Sequence, residues 1–329
     1  MKSILIPLMA SAALAAVASG ATAAPDVVVS IKPVHSLVAA IMKGVGEPQL
    51  IVDGAASPHT YNLRPSNARK LEKADVVFWV GPGLEAFLQK PLEALASKAT
   101  VVELEDAKGL EKLPFRKGGP FEAHDDGEEG HEAHAGHTED EGAHDHGNDH
   151  AGSEEHEHGA YDTHLWLDPA NAKAMAQAIE TALIAADAGN AATYQANTKK
   201  LIDDLDALDA EVVETVKPVK DKPFIVFHDA YQYFEHRYGV KTAGSITVSP
   251  ETLPGADRVK QMQEKVRQLG APCVFAEPQF EPKLVSVITE GTAAKSATLD
   301  PEAATLTPGP DLYFKLMRGI AGSLKNCLS

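Results

Sequence analysis

Three histidines that are far apart in the sequence stand where an α/β protein commonly binds its ligand. His228 closes an apolar run, His59 lies in the loop after another, and His164 comes shortly before an acid–proline pair. In open α/β sheets, ligands collect beyond the carboxyl ends of the strands. Asp300 follows a further short apolar run and adds a candidate carboxylate. Three imidazoles with one oxygen, from a carboxylate or from water, suit tetrahedral zinc, whereas manganese prefers more oxygen ligands.

These histidines also have a structural interpretation. A single histidine at a strand end is more often a hydrogen-bonded structural residue than a ligand, and no His-x₃-His motif links the three. Glu277 follows another predicted strand, and we expect it to support a metal ligand or to have a purely structural role rather than to bind metal itself. The spacing alone leaves both a zinc site and a set of structural histidines open.

A second group of histidines lies in an acidic segment between His59 and His164. Residues 118–160 consist mainly of Gly, Ala, Asp, Glu and His, with Phe121 as the one large apolar residue. Such a stretch buries too little apolar area to offset the entropy of ordering it, so we predict a disordered insertion. Its imidazoles predict secondary, low-affinity zinc sites, either a store of zinc near the main site or a sensor of zinc excess. The nine histidines are His124, His131, His134, His137, His144, His146, His150, His156 and His158.

The elements that would position the main site alternate between strand and helix. Short β-branched or aromatic runs at 27–31, 50–52, 76–80 and 100–102 alternate with helical patterns, and the alternation restarts after Pro218. This pattern favours βαβ units with parallel strands. We predict an α/β fold of two Rossmann-like (β/α) lobes, with the metal site in the cleft between them.

A long helix is predicted in the middle of the chain. Asp168 followed by Pro169 is a helix start, with an acid at the N-cap and proline in the first turn. The pattern over 190–217 then carries large apolar residues at steps of three and four. At 1.5 Å per residue this helix would reach about 40 Å. We predict that it links a lobe formed by 25–189, which contains the insertion, to a lobe formed by 218–329. The alternative is a core helix within one domain.

The first 24 residues resemble a signal peptide. Lys2 precedes an apolar stretch and the small-x-small pattern Ala21-Thr22-Ala23, so we expect export, most simply to a bacterial periplasm. No later run reaches about 20 apolar residues, so we expect a soluble mature chain without membrane insertion. In an oxidising compartment the pair Cys273 and Cys327 favours a disulfide, with a metal-binding pair as the alternative.

The acidity of the chain is concentrated around the insertion. The formal net charge is −17, and residues 122–162 contain 15 acids and no Lys or Arg. The rest of the chain is therefore close to neutral. A nucleic-acid surface would need clustered Lys and Arg, so we expect no nucleic-acid partner.

Five groups of motifs carry a family resemblance. They are Pro58-His59-Thr60-Tyr61 with Arg64-Pro65-Ser66, His164-Leu165-Trp166-Leu167-Asp168-Pro169, Phe227-His228-Asp229-Ala230-Tyr231, Phe275-Ala276-Glu277-Pro278-Gln279 and Leu299-Asp300-Pro301. In this order they closely resemble the ZnuA-like zinc-binding proteins of bacterial ABC importers, which are members of the metal-binding cluster A-I family. The resemblance runs from about residue 26 to the C-terminus. It implies two α/β lobes joined by a long helix, with the metal in the cleft.

The resemblance implies a role for each candidate ligand. The family's histidine ligands fall on His59, His164 and His228, and its carboxylate position falls on Asp300. Manganese-selective relatives place a carboxylate at the third of these positions, so His228 favours zinc. Pro58 stands where a carboxylate beside the first histidine can serve in the family. This leaves Asp300 or a water molecule for the fourth position.

The resemblance also implies a function. A member of this family would capture Zn²⁺ in the periplasm and hand it to an inner-membrane ABC permease with its ATPase subunit, without catalysing a reaction, and we expect a monomer. The Cys273–Cys327 pair resembles a disulfide of some zinc members, and the His-rich insertion is typical of the zinc branch. Two alternatives remain, a manganese or mixed-metal carrier and a zinc-dependent hydrolase. The hydrolase would need an open coordination position and a general base beside bound water.

Overall fold

The computed structural model describes residues 24–116, 121, 161–247, 254–270, 272–280 and 283–329. The predicted signal peptide, apart from Ala24, lies outside these residues, and so do the nine histidines of the insertion. Within the described part, eight strands form two parallel four-stranded sheets. The two sheets have equivalent strand orders, in which the second strand pairs outside the first and the third and fourth strands follow on the other side.

The first sheet is built from short strands with β-branched and aromatic residues. Its strands are β1 (Val27–Val29), β2 (Gln49–Leu50), β3 (Val76–Trp79) and β4 (Thr100–Glu103), in the order β2-β1-β3-β4. The crossovers contain α1 (Lys32–Ile41), α2 (Pro65–Lys73) and α3 (Ala86–Leu95). All neighbouring strands run parallel, as the predicted βαβ units require.

The second sheet repeats this arrangement near the C-terminus. Its strands are β5 (Phe224–His228), β6 (Thr242–Thr247), β7 (Cys273–Ala276) and β8 (Lys295–Thr298), in the order β6-β5-β7-β8. The helices of this part are α6 (Gln232–Tyr238), α7 (Ala256–Leu269), α8 (Lys283–Thr289) and α9 (Leu312–Leu328). The helix α7 ends at Gly270, which adopts a left-handed conformation with φ of +54° that costs glycine little.

The strand β5 is apolar at successive positions because both of its faces are buried. Phe224 and Val226 face the large core that runs through both halves of the molecule. Ile225 and Phe227 face a smaller core beneath α7 and α8. A parallel strand buried on both faces needs apolar residues at every position, so its last residue, His228, is carried into the interior.

Two long helices connect the sheets. The first, α4 (Pro169–Ala186), begins at the predicted cap, where the Asp168 carboxylate accepts a hydrogen bond of 2.7 Å from the backbone N–H of Ala170. The second, α5 (Ala191–Val216), buries all of its predicted apolar stripe. Its 26 residues correspond to about 39 Å. It contacts α1 and α4 as well as α6 and α9, and therefore touches elements of both halves.

The fold class predicted from the sequence is thus observed, whereas the domain limits at 189 and 217 remain a prediction. Cys273 and Cys327 form the expected disulfide, with Cα atoms 6.1 Å apart, which ties β7 to α9. Among residues with described positions, no helix combines the length and apolar character that a membrane crossing requires.

Candidate metal centre

Three imidazole rings converge beyond the carboxyl ends of β2 and β5. The Nε2 atom of His164 lies 3.3 Å from Nε2 of His59 and 3.3 Å from Nε2 of His228. The candidate ligand atoms of the three residues all lie within 4.8 Å of one another. Ring nitrogens at roughly 2.0–2.1 Å from one tetrahedral zinc ion lie about 3.3–3.4 Å apart. The observed separations of 3.3 Å suit that geometry.

Strand register places Glu277 behind His228. In the parallel pair of β5 and β7, Phe224 lies opposite Cys273, which is 49 residues later. His228 and Glu277 are also 49 residues apart, so the same register brings them opposite each other where the two strands end. The two side chains therefore leave the sheet side by side, where the strand order reverses. Nδ1 of His228 lies 2.7 and 2.8 Å from the carboxylate oxygens of Glu277. An ionised carboxylate only accepts, so the proton sits on Nδ1, and Nε2 presents its lone pair to a metal.

Asp162 orients His164 in the same way. Its Oδ1 atom accepts hydrogen bonds from the backbone N–H of His164 at 2.9 Å and from Nδ1 of the ring at 2.7 Å. The backbone oxygen of Asp162 accepts a bond of 2.6 Å from the hydroxyl of Tyr233, on α6. On the other side, Nε1 of Trp166 donates to the backbone oxygen of Pro301 at 2.9 Å. The segment that carries His164 is therefore held by residues from the second half of the chain.

His59 is presented by a short 3₁₀ turn, Pro58–Thr60. The loop after this turn is fastened to the end of β2 by two side chains. The hydroxyl of Tyr61 donates to the backbone oxygen of Ile51 at 3.2 Å, and the amide of Asn67 donates to the same oxygen at 3.0 Å. These bonds fix the path of the loop and with it the side from which His59 approaches the other two rings.

The pKa values of His59 and His228 are shifted in opposite directions by their surroundings. Burial lowers the pKa of His59 well below its ordinary value, and the rings of His164 and His228 lower it further. Burial acts to lower the pKa of His228, but the carboxylates of Glu277, Asp229 and Asp162 together leave that pKa raised. At neutral pH the His59 ring is therefore uncharged and ready to bind, whereas a metal competes with a more tightly held proton at His228.

A sequence match decides the family. Residues 27–327 match the family described as "Zinc-uptake complex component A periplasmic". The chain belongs to this family.

Named proteins of high identity agree with this assignment. The "High-affinity zinc uptake system protein ZnuA" of Brucella suis biovar 1 (strain 1330) is 54% identical over 315 residues, covering 92% of this chain and 91% of that protein. The protein of the same name from Yersinia pestis is 37% identical over 306 residues, covering 93% and 92%. The similarity therefore extends over nearly the full length of both relatives.

Solved structures share the fold of this zinc-uptake family member. "Crystal structure of ZnuA" has a TM-score of 0.73 at 24% identity, covering 93% of this chain and 100% of that chain. "Periplasmic zinc binding protein TroA from Treponema pallidum" has a TM-score of 0.74 at 18% identity, covering 93% and 99%. At these identities the likeness establishes the architecture, and it confirms the two-lobe α/β prediction.

Asp300 lies outside the group of ligand atoms in this zinc-uptake family member. Its carboxylate accepts hydrogen bonds from the backbone N–H groups of Ala304 at 2.9 Å and Thr305 at 3.3 Å. The Thr305 hydroxyl, at 3.3 Å, and the Gln279 amide, at 3.4 Å, also donate to it. Within the described residues, the three histidines are the group that could hold a metal. Ligation by Asp300 stays a prediction.

Sequence reasoning anticipated Glu277 as a supporting residue but missed Asp162. The signal for Glu277 was its place directly after a strand, which parallel register turns into contact with His228. Asp162 precedes His164 by two residues and sits at the end of an acidic segment, where one more acid carried no distinguishing mark. The secondary sites proposed at the nine histidines fall outside the described residues and remain a prediction.

Proposed function

We propose that this protein captures Zn²⁺ in the bacterial periplasm and delivers it to an inner-membrane ABC permease with its ATPase subunit. His59, His164 and His228 are the proposed ligands, and zinc is the cargo. The single observation that carries the proposal is the convergence of three imidazole rings, in which Nε2 of His164 lies 3.3 Å from Nε2 of both His59 and His228. The names of the relatives, which describe zinc uptake, support the choice of cargo.

The ligand set favours zinc over manganese. Neutral imidazole suits zinc, whereas manganese is better served by carboxylate, carbonyl and water oxygens. Among the described residues, two carboxylates contact the rings, and both do so at Nδ1: Asp162 at His164 and Glu277 at His228. They therefore orient the imidazoles instead of facing the ion. A manganese or mixed-metal carrier remains the alternative within the same family.

We propose a water molecule as the fourth ligand. The Asp300 carboxylate already accepts hydrogen bonds from the backbone of Ala304 and Thr305, and it lies outside the group of ligand atoms. A water molecule would leave these bonds in place. Ligation by Asp300 is the alternative, and an Asp300→Asn variant with unchanged zinc affinity would exclude it.

We propose that the protein does not act as a hydrolase. A zinc hydrolase needs a general base poised beside metal-bound water. Asp162 and Glu277 are occupied with the histidine rings, and the Asp229 carboxylate is bound by the guanidinium of Arg116. Turnover of ester, peptide or phosphate substrates by the zinc-loaded protein would contradict the proposal.

For the acidic insertion we propose a role in collecting zinc at low affinity, either as a store or as a sensor of excess. Its nine histidines among carboxylates are the basis for this. Deletion of residues 122–158 separates the two roles. A store predicts slower uptake at limiting zinc, whereas a sensor predicts unchanged uptake at limiting zinc and altered uptake at high zinc.

The main experiment is metal competition on protein purified without chelator. We expect one tightly held zinc ion per chain, resistant to excess manganese, detected by competition with a high-affinity zinc indicator. Alanine at His59, His164 or His228 should weaken binding by more than the roughly 10–100-fold typical of losing an outer-shell partner. His236→Ala is the matched control, because His236 is a half-exposed histidine on α6. Equal binding of manganese would favour the mixed-metal carrier.

A further inference from the structure

The His-rich insertion leaves and re-enters the fold through two segments that contact each other. We call residues 111–116 and 161–162 the stem. The segments form an antiparallel bridge between Pro114 and Tyr161. Because they are paired, a displacement of one segment is passed to the other.

The stem is fastened to α6, in the second half of the molecule. The hydroxyl of Tyr233 accepts a hydrogen bond from the backbone N–H of Leu113 at 3.0 Å and donates one to the backbone oxygen of Asp162 at 2.6 Å. The side-chain amide of Gln232 donates to the backbone oxygen of Pro114 at 2.9 Å. One helix of the second half thus binds both segments of the stem.

Arg116 makes the strongest of these connections. Its guanidinium binds the carboxylates of Asp229 and Glu235 together, with two donors to each. The two bonds to Glu235 measure 3.0 and 2.9 Å, and the ring of Phe121 covers the guanidinium at 4.2 Å. The side chains of Arg116, Asp229 and Glu235 are 22%, 5% and 11% exposed. Shielded bidentate pairs of this kind are stronger and better defined than surface ion pairs.

Each segment of the stem is linked to one of the proposed histidine ligands. Asp229, which Arg116 holds, follows His228 directly in the sequence. Asp162 holds the ring of His164 through Nδ1. The stem therefore relates the position of His164, from the first half of the molecule, to that of His228, from the second.

We propose that Arg116 is a positioning residue of the metal centre, which fixes the stem against Asp229 and Glu235 and so sets the distance between His164 and His228. This inference rests on the proposed zinc-binding function. The described contacts of the Arg116 guanidinium are with Asp229, Glu235 and Phe121. Arg116 therefore acts on the two rings through Asp229 and through the stem. The stem thereby makes the base of the His-rich insertion part of the frame of the zinc site.

Loss of the guanidinium should loosen the centre more than it loosens the fold. Without Arg116, two carboxylates face each other with no shared donor, and the stem loses its strongest tie to α6. His164 and His228 would then vary in separation, and a bound ion would meet poorer tetrahedral geometry. Lysine cannot reproduce two bidentate contacts, so Arg116→Lys should give an intermediate result.

The experiment compares Arg116→Met and Arg116→Lys with Arg318→Met in the full chain. Arg318 is the matched control, because it binds Glu211 with two donor nitrogens and joins α9 to α5. Zinc release is followed after mixing with excess chelator. The visible absorption of the Co²⁺-loaded protein reports coordination geometry, and thermal unfolding of the metal-free protein reports folding.

We expect Arg116→Met to release zinc about 10-fold faster or more, in the range for loss of an outer-shell partner, with a changed Co²⁺ absorption band. Arg318→Met should match the unaltered protein in both. Release rates and Co²⁺ spectra of both Arg116 variants equal to those of Arg318→Met would overturn the inference. If Arg116→Met does not fold, the Arg116→Lys spectrum and release rate decide alone. Failure of His228→Ala to weaken zinc binding would instead overturn the proposed function.

Discussion

The Glu277 carboxylate accepts a hydrogen bond of 2.7 Å from Nδ1 of His228, and this pair joins the ends of two adjacent parallel strands. Its counterpart, Asp162 with His164, shows the same distance of 2.7 Å but is formed by residues two positions apart. One pair is made by the sheet and the other by a local turn. Both leave Nε2 as the atom that faces the other rings.

Removal of the charge at Glu277 should weaken zinc binding. Glu277→Gln keeps the side-chain length but makes the acceptor neutral, so the His228 ring becomes less basic and less firmly oriented. We expect zinc affinity to fall roughly 10-fold, at the lower end of the range for outer-shell partners. Glu214→Gln, at an exposed position on α5, is the control. Equal affinities in an indicator competition assay would show that Glu277 does not support the ligand.

Zinc affinity should fall as the pH is lowered, and His228 should be the first ligand to lose its capacity to bind. Burial acts to lower its pKa, but the carboxylates of Glu277, Asp229 and Asp162 together leave it raised, and Nε2 must be free of a proton to bind. Affinity should therefore be constant at pH above this raised pKa and fall by about tenfold per unit just below it, where one proton competes. Since burial lowers the pKa of His59, that ring adds to the loss only at more acidic pH.

The Glu277→Gln variant also tests this pH assignment. Without the carboxylate the pKa of His228 should drop, so the fall in affinity should begin at lower pH than in the unaltered protein. Titrations between pH 5 and 8.5 with a zinc indicator would measure it. An affinity that stays constant over this range would mean that the proposed histidines do not bind the ion.

Lys32 should stabilise the contact between α1 and the loop after β8. Its buried ammonium donates to the backbone oxygens of Ala303 at 3.3 Å, Ala304 at 2.8 Å and Leu306 at 3.1 Å. Lys32→Met keeps the apolar part of the side chain but leaves these backbone oxygens without their donor, at a cost of about 1–3 kcal/mol in the free energy of unfolding. Lys70→Met is the control, because Lys70 donates to a single backbone oxygen. Urea unfolding at pH 7 should show the larger loss for Lys32→Met.

Glu85 should make the fold less stable at neutral and alkaline pH than at mildly acidic pH. Burial raises its pKa from the ordinary 4.5 to about 7, so the folded protein holds this proton more tightly than the unfolded chain. The free energy of unfolding should therefore decrease as pH rises from about 4.5 to 7. This difference corresponds to on the order of 3 kcal/mol.

The test is Glu85→Gln, which remains uncharged at every pH. We expect it to match the unaltered protein at pH 4.5 and to exceed it in stability at pH 8, in urea unfolding. Glu93→Gln, at an exposed position on α3, the helix that begins directly after Glu85, should show no such divergence. A Glu85→Gln variant that is less stable than the unaltered protein at pH 8 would contradict the assignment.

The disulfide should contribute to stability but not to zinc stoichiometry. Cys273 and Cys327 are separated by 54 positions, and closing a loop of this size contributes about 4 kcal/mol in the chain-entropy model. The double substitution Cys273→Ala and Cys327→Ala should lower the free energy of unfolding by about that amount. The variant should still bind one tightly held zinc ion. A loss below about 1 kcal/mol would mean that the unfolded chain is little constrained by the bond.

The sequence predicted the architecture because local and global signals agree. The run around Phe224 is apolar at successive positions because both faces of β5 are buried, and the Asp168 cap lies where its helix starts. The sequence pointed to residues at or after strand ends for the same reason, since parallel strands bring their carboxyl ends to one edge. His59 and His228 belong to this class.

Other parts of the site depend on contacts that have no local signature. Asp162 could not be told from its acidic neighbours, and Arg116 acts through Asp229 and Glu235, more than 100 positions away. Such pairings follow from how the two halves pack together, which periodicity and capping do not encode. Asp300 was chosen by its place after a strand, but its loop turns the carboxylate toward Ala304 and Thr305.

The separations between the three rings have a further consequence. His59 and His164 are 105 positions apart, and His164 and His228 are 64 positions apart. An ion held by all three would close two large loops at once and act as a removable cross-link that favours the folded chain. The carrier should resist proteolysis while loaded and become easier to digest after it has discharged its cargo.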